Sequence, residues 1–261
     1  MELLNLGCGK TFHPDWHNVD IVSSSPEVQA CNFLKGLPFA DGRFQGVYHS
    51  HVLEHVPRWQ AEDFIRECYR VLQPGGVLRI VVPDLENVIR EYLRHLQVNL
   101  DGSSPQSEAR YDWIMVELFE QMVRRQPSGE MYKFACQLKE LDPAYLFERI
   151  GPPDLSPSRA TQRSWWQSLK DMLRRLRRWL RRHLTSVACQ LGSFHLSGEM
   201  HMWMYDRFSL ARLLRRCGFT DIQARDAFDS AIPDWGRYEL DVCNHVVRFP
   251  TSLFMEARRP Q

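Results

Sequence analysis

The stretch Leu3-Leu4-Asn5-Leu6-Gly7-Cys8-Gly9-Lys10 decides the fold. A short apolar run breaks into two glycines one residue apart, the pattern of a buried strand ending in a tight turn. Glycine has no Cβ and tolerates positive φ, so the backbone there can pass close to a ligand. A second apolar piece, Asn18-Val19-Asp20-Ile21, closes on a carboxylate that can accept hydrogen bonds from ribose hydroxyls at a strand end. Taken alone, two glycines after a strand mark an ordinary turn more often than a nucleotide site.

Between the two pieces, Lys10 to His17 must carry the chain back to a parallel neighbour. About ten residues are near the minimum for such a crossover, so one helical turn or a plain loop is expected. This counts against a nicotinamide-binding domain, which needs a longer helix, a third glycine and an acid about 20 residues on. Phe12 occupies the place of the third glycine, and His13 and His17, flanking Pro14 and Trp16, read as loop residues.

The 261 residues, 44% of them apolar, suffice for one large α/β domain or two small ones with a sizeable core. A net charge of +1 sets up no global field that would recruit nucleic acid or membrane. Seven cysteines without paired spacing fit a reducing compartment better than a disulfide framework. Met1 leads almost directly into a strand, and no apolar run approaches a membrane span, so a cytoplasmic protein is expected.

Further along, Cys31-Asn32-Phe33 is a brief strand candidate and Leu37-Pro38-Phe39-Ala40-Asp41-Gly42 a turn. Phe44 to Ser50 reads as a buried strand, with His51-Val52-Leu53-Glu54-His55 at its carboxyl end. Trp59, Phe64, Ile65, Cys68 and Leu72 recur at helical spacing between Arg58 and Leu72. Pro74-Gly75-Gly76 stops that helix, and Val77 to Val82 is the clearest β-branched strand in the chain. The order is that of a parallel sheet, on which ligands bind outside the carboxyl ends of the strands. Gly7, Gly9, Asp20, Asn32, Ser50 and His51 all fall at those ends.

The middle departs from this alternation. Leu85–Leu96 and Tyr111–Val123 read as helices separated by the polar loop Asp101–Pro105, and Gly151–Ser158 is a Pro/Gly/Ser-rich break. Between Arg159 and His183 stand nine Lys/Arg against the single acid Asp171, with Trp165, Leu169, Met172, Leu173, Leu176, Leu180 and Leu184 on one face. This basic amphipathic helix near 159–187 has three readings: a cap packed on the domain, an in-plane membrane helix, or a grip on RNA or an acidic substrate. Alternation resumes with a helix over Ser209–Phe219 stopped by Gly218, and strands at Thr220–Ala224 and Leu253–Ala257. Residues 1–84 and 199–261 are thus expected to form two parts of one core, with 85–198 a mainly helical insertion.

With those residues in hand, the chain resembles the class I S-adenosylmethionine-dependent methyltransferases, most nearly a type 11-like subgroup often found among cell-surface polysaccharide genes. Three stretches carry the resemblance: Asn5-Leu6-Gly7-Cys8-Gly9; Leu37-Pro38-Phe39-Ala40-Asp41 through Val52-Leu53-Glu54-His55; and Arg70-Val71-Leu72-Gln73-Pro74-Gly75-Gly76. The segment His201-Met202-Trp203-Met204-Tyr205-Asp206 leading to Cys217-Gly218-Phe219 is similar to the subgroup's C-terminal signature. The resemblance implies an α/β, Rossmann-like, mostly parallel seven-stranded sheet with helices on both faces, plus a helical insertion before the C-terminal strands. It implies S-adenosyl-L-methionine as cofactor, with Asn5, Gly7, Cys8 and Gly9 along its methionine part and Asp20 on the ribose. Asn32 takes the place of the usual adenine-binding acid through its side-chain carbonyl, Phe33 lies beside the ring, and Ser50 and His51 lie near the sulfonium. Asn5 stands where the wider family has Glu or Asp.

Methyl transfer from an activated sulfonium leaves the protein mainly to position the acceptor and exclude water. A hydroxyl acceptor also needs a base, for which His51, Glu54, His55 and His201 are the candidates. His49, His51 and His55 as a metal cluster is disfavoured because carboxylates nearby are few, and no metal site is expected. Glu54 and His55 have an equally good structural reading, as caps of the following helix. No Asp/Asn-Pro-Pro-aromatic tetrapeptide and no Pro-Cys follows the fourth strand, against exocyclic base-amine methylation and a covalent cysteine mechanism. The leading expectation is a small-molecule or sugar hydroxyl acceptor, such as a glycan precursor, with peripheral membrane contact through 159–187. An RNA methyltransferase and a methyltransferase-like binding protein without activity are the alternatives.

Overall fold

The computed structural model describes residues 2–124, 141–152 and 198–261, together with Gly129, Met131, Phe134 and Gly192. The basic helix expected near 159–187 lies outside the described residues, and with it the cap, membrane and RNA readings.

Seven strands form one sheet: β1 (Leu3–Leu6), β2 (His17–Asp20), β3 (Val28–Ala30), β4 (Phe44–Ser50), β5 (Leu72–Pro83), β6 (Thr220–Arg225) and β9 (Ser252–Arg258). Their order is β3-β2-β1-β4-β5-β9-β6, and β9 alone runs antiparallel to both its neighbours. A two-stranded ribbon, β7 (Val242–Cys243) with β8 (Val246–Val247), lies outside it.

Side-chain alternation along the strands separates two cores. Leu4, Leu6, Leu78, Ile80, Val82 and Met255 face α1 (Ala61–Val71), while Leu3, Tyr48, Val77, Val81 and Phe254 face Trp16 and the 226–247 segment. Helices α2 (Leu85–Gly102), α3 (Pro105–Val123) and α4 (Pro143–Ile150) gather a third cluster around Trp113 and Ile114. Helix α5 (Arg207–Arg216) joins α1 on the first face, and the short α6 (Trp235–Tyr238) lies on the second.

Local chemistry explains where the elements begin and end. The brief strand expected at Cys31–Phe33 is instead β3, three residues earlier, followed by a 3₁₀ turn over Phe33–Lys35, because Asn32 Oδ1 accepts from Leu34 N. Helix α1 does stop before Pro74-Gly75-Gly76, yet β5 already starts at Leu72. It runs on through a bulge at which its register against β4 shifts, with Gly75 at φ +78°. The polar loop expected at 101–105 shrinks to two residues: α2 reaches Gly102, and a reciprocal Ser104–Ser107 capping box starts α3 at Pro105. Between β1 and β2 the chain makes turns only, as the short crossover requires. No helix among the described residues is long and apolar enough to cross a membrane.

One charge sits at the centre of the second core. Arg79 on β5 is fully buried, where its guanidinium meets Asp241 at 2.7 Å and Glu256 at 2.9 Å. It also donates to the carbonyls of Asp226 and Asp229 and stacks on Trp235. Tyr48 donates to the same Asp241 at 2.6 Å.

Candidate active site

The glycine turn is held by its neighbour strand. Gly7 N and Cys8 N both donate to Val19 O, at 2.8 and 3.3 Å. Gly7 and Gly9 adopt φ +64° and +54°, the left-handed region glycine enters without strain. They differ in what surrounds them. A Cβ on Gly7 would stand 2.3 Å from Val52 Cγ2, whereas one on Gly9 would meet nothing within 4 Å. Gly7 therefore lets the turn close on the loop after β4, and Gly9 faces open space. At its edge Asp20 accepts from Gly9 N through Oδ2 at 2.7 Å and from Val22 N through Oδ1 at 3.3 Å.

The remaining residues expected around the cofactor divide. Asn5 is buried; its amide nitrogen reaches Thr11 O and Asn18 Oδ1, so its role is to tie down the crossover. Cys8 is buried, and desolvation pushes its thiol up to about 12, an unreactive side chain. Phe33 packs in the first core against Phe64 at 5.6 Å between ring centres. The Asn32 carbonyl oxygen is engaged by Leu34 N. Ser50 is partly buried and closes β4.

Beyond β4 the chain turns sharply, with His51 at φ +53° and its N–H on Val81 O. A 3₁₀ turn over Leu53–His55 follows. The structure brings all four candidate bases together there. His51 Nδ1 lies 3.0 Å from Glu54 Oε1, and its Nε2 lies 3.0 Å from Ser252 Oγ. The Glu54 backbone carbonyl accepts from Met202 N and Trp203 N, which clamps the 200–203 segment to this turn. His55 Nδ1 sits 2.9 Å from Met200 O, and the His55 and His201 rings meet edge to face at 4.9 Å.

The electrostatics of this cluster follow from burial and from the imidazoles. Glu54 is fully buried; desolvation raises its pKa, but His51 first, then His55 and His201, outweigh it and hold the carboxyl down at about 2. Desolvation lowers His201 to about 4 despite the pull of Glu54. His49 lies against Phe64 with neither ring nitrogen partnered among the described residues, and burial lowers it to about 4. Both Glu54 carboxylate oxygens and the Tyr205 hydroxyl are likewise buried without a well-formed hydrogen bond among the described residues. Ser252 and Tyr205 were not legible as site residues; Ser252 comes from the reversed strand, and only the fold brings it to His51.

A mostly parallel seven-stranded sheet whose one reversed strand lies second from the edge, with a glycine turn at the end of β1, defines the class I, Rossmann-like methyltransferase fold. Residues 17–80 match the model of the methyltransferase-domain family. The fold is thus that of the class I methyltransferases, and the family match is to the stretch from β2 to the middle of β5. A demethylmenaquinone methyltransferase of Listeria monocytogenes is 28% identical over 119 residues, 43% of this chain and 46% of that protein. A probable S-adenosylmethionine-dependent methyltransferase of Mycolicibacterium smegmatis is 39% identical over 51 residues, 20% of this chain and 19% of its own length. The matched stretch thus spans about half the length of the Listeria relatives. The 1,6-didemethyltoxoflavin-N1-methyltransferase of Burkholderia thailandensis, solved with S-adenosylhomocysteine, aligns over 100% of this chain and 71% of its own at 13% identity. Its TM-score is 0.41, a likeness too loose to bear on function.

Proposed function

We propose that the chain is an S-adenosylmethionine-dependent methyltransferase acting on a hydroxyl of a small-molecule or sugar acceptor, such as a glycan precursor. The observation that carries this reading is the Glu54–His51–Ser252 alignment beside the glycine turn. A buried carboxylate meets His51 Nδ1, which therefore carries the ring proton, and leaves Nε2 as the basic nitrogen already accepting a hydroxyl. Val52, next to His51, packs on Gly7, so the base stands close to where a cofactor would lie.

The described residues fit the cofactor. The open side of Gly9 admits a ligand against the backbone, and Asp20 stands at its edge with Oδ2 on Gly9 N and Oδ1 on Val22 N. Gly7, Gly9 and Asp20 are assigned to it, with the Asn32 amide NH₂ at the adenine end. S-adenosylmethionine, when bound, supplies a methyl group on a sulfonium and needs no further activation. The chain's own work is to hold the acceptor oxygen in line, to exclude water, and to take the hydroxyl proton at His51 Nε2 while Glu54 steadies the imidazolium.

The test is methyl incorporation from labelled cofactor into glycan precursors, demethylmenaquinone, RNA and small metabolites, with cofactor calorimetry alongside. Label in a hydroxylated small molecule, lost in His51→Ala, is the expected result. Label in RNA or in the quinone reassigns the acceptor. Absence of binding heat with S-adenosylmethionine overturns the enzyme reading in favour of a binding protein.

A further inference from the structure

Three donor side chains from two distant parts of the chain meet after β4. Donor atoms of Glu54, His55 and His201 all lie within 4.8 Å of one another, and Glu54 and His201 are buried. We infer that Glu54, His55 and His201 form a binding site for a divalent first-row transition ion, zinc above all, with a position left open toward the acceptor.

Geometry and donor chemistry both support the site. His55 Nδ1 faces a carbonyl, Met200 O, which only accepts, so Nδ1 carries the proton and the lone pair is left on Nε2. A metal-ligating histidine is oriented in this way, by donating its other N–H to a carbonyl or carboxylate. Glu54 is buried as well: Oε1 lies 3.0 Å from His51 Nδ1, and neither carboxylate oxygen has a well-formed hydrogen bond among the described residues. A buried carboxylate oxygen with no donor is costly, and a cation is one of the few things that satisfies it. Ligand atoms on tetrahedral zinc stand about 3.4 Å apart at bond lengths of about 2.1 Å, so closing the set needs shifts of roughly an ångström. Backbone bonds from Met202 N and Trp203 N to Glu54 O already fix the two segments against each other.

Two imidazoles and one carboxylate choose among ions. Magnesium and calcium prefer all-oxygen shells, whereas imidazole suits zinc and its first-row neighbours. Three protein ligands leave the fourth position of a zinc ion for water or a substrate oxygen, as in catalytic rather than structural sites. Resting on the methyltransferase reading, this ion would hold the acceptor's hydroxyl oxygen beside His51. The sequence expectation of no metal weighed His49, His51 and His55 and found few carboxylates near them. His201, 146 positions beyond His55, is what the chain order hid.

The experiment uses the full chain, stripped with chelator and titrated with zinc by calorimetry, metal content being read by elemental analysis. One equivalent bound is expected, with affinity falling at least about 100-fold in Glu54→Gln and in His201→Ala, since loss of even an outer-shell partner costs about 10–100-fold. Cobalt substitution of the unmutated chain gives a second readout: a tetrahedral visible spectrum without thiolate charge-transfer bands. Binding that survives both substitutions, thiolate bands from a cysteine site, or no stoichiometric metal at all would overturn the inference. Calorimetry with S-adenosylmethionine on the same samples separates the two claims. Metal bound without cofactor heat sinks the enzyme reading and keeps the site; cofactor heat without metal does the reverse.

Discussion

Arg79 and Glu54 are both charged and both fully buried, yet their surroundings are built to opposite rules. Around Arg79 the guanidinium nitrogens meet two carboxylates and two carbonyls, and Asp241 takes Tyr48 as well. Around Glu54 both carboxylate oxygens, the Tyr205 hydroxyl and both nitrogens of nearby His49 lack a well-formed hydrogen bond among the described residues. A closed polar network fixes the fold around it, whereas an open one is a place where something else is expected to bind. The contrast separates what holds the second core together from what is available for chemistry.

The strongest way to break that contrast is at its closed side. Arg79→Met removes the guanidinium that Asp241 and Glu256 share in the core, and is expected to cost about 3–5 kcal/mol in urea or thermal unfolding. A loss under about 1 kcal/mol would show that the network is no better anchored than the Glu54 cluster. On the open side, Glu54→Gln keeps the shape and can still accept from His51. Stability should change by less than about 1 kcal/mol while methyl transfer falls about 100-fold or more; a stability loss as large as that of Arg79→Met would make Glu54 a structural charge. Asp20→Asn sharpens the picture at the glycine turn. It should weaken S-adenosylmethionine about 10- to 100-fold by calorimetry with the melting temperature nearly unchanged, the effect of one charged hydrogen-bond acceptor.

The smallest effect is one of pH. His49 has a folded pKa near 4, below the ordinary 6.5, so the unfolded chain binds more protons between those values. Its contribution to stability is full above about pH 6.5 and is lost as pH falls through about 4, at a slope of up to about 1.4 kcal/mol per pH unit. His49→Met should remove that part of the slope and leave stability at pH 8 within about 1 kcal/mol. An unchanged acid profile would mean that His49 takes up its proton in the folded chain.

Much of the sheet was legible because its signals are local. β4 and the lengths of β1 and β2 follow from apolar runs closed by glycine or a polar residue, and the helix-free crossover follows from counting residues. What was not legible depends on contacts across the chain. Arg79 lies in the most strand-like run of the sequence, and nothing in Val77 to Val82 shows that Asp241 and Glu256 will meet it. Phe33 was placed beside the cofactor by its position in a motif, but the Asn32 cap turns the chain there and puts the ring in the core. Among the candidate bases the pattern named all four residues, while the pairing of His51 with Ser252 and of His55 with Met200 depends on the reversed strand and on the segment after the insertion.

The crossover between β1 and β2 has one more consequence. In nucleotide-binding sheets that begin this turn with a helix, the helix directs the positive end of its dipole at the ligand, which favours diphosphates. Here the chain leaves Gly9 through turns, so no such positive pole faces the open side of the glycines. The turn itself therefore adds no helix dipole to whatever settles against Gly9. The connection from Gly7 to Trp16 is too short to supply that helix, so whatever binds against Gly9 meets bare turn backbone.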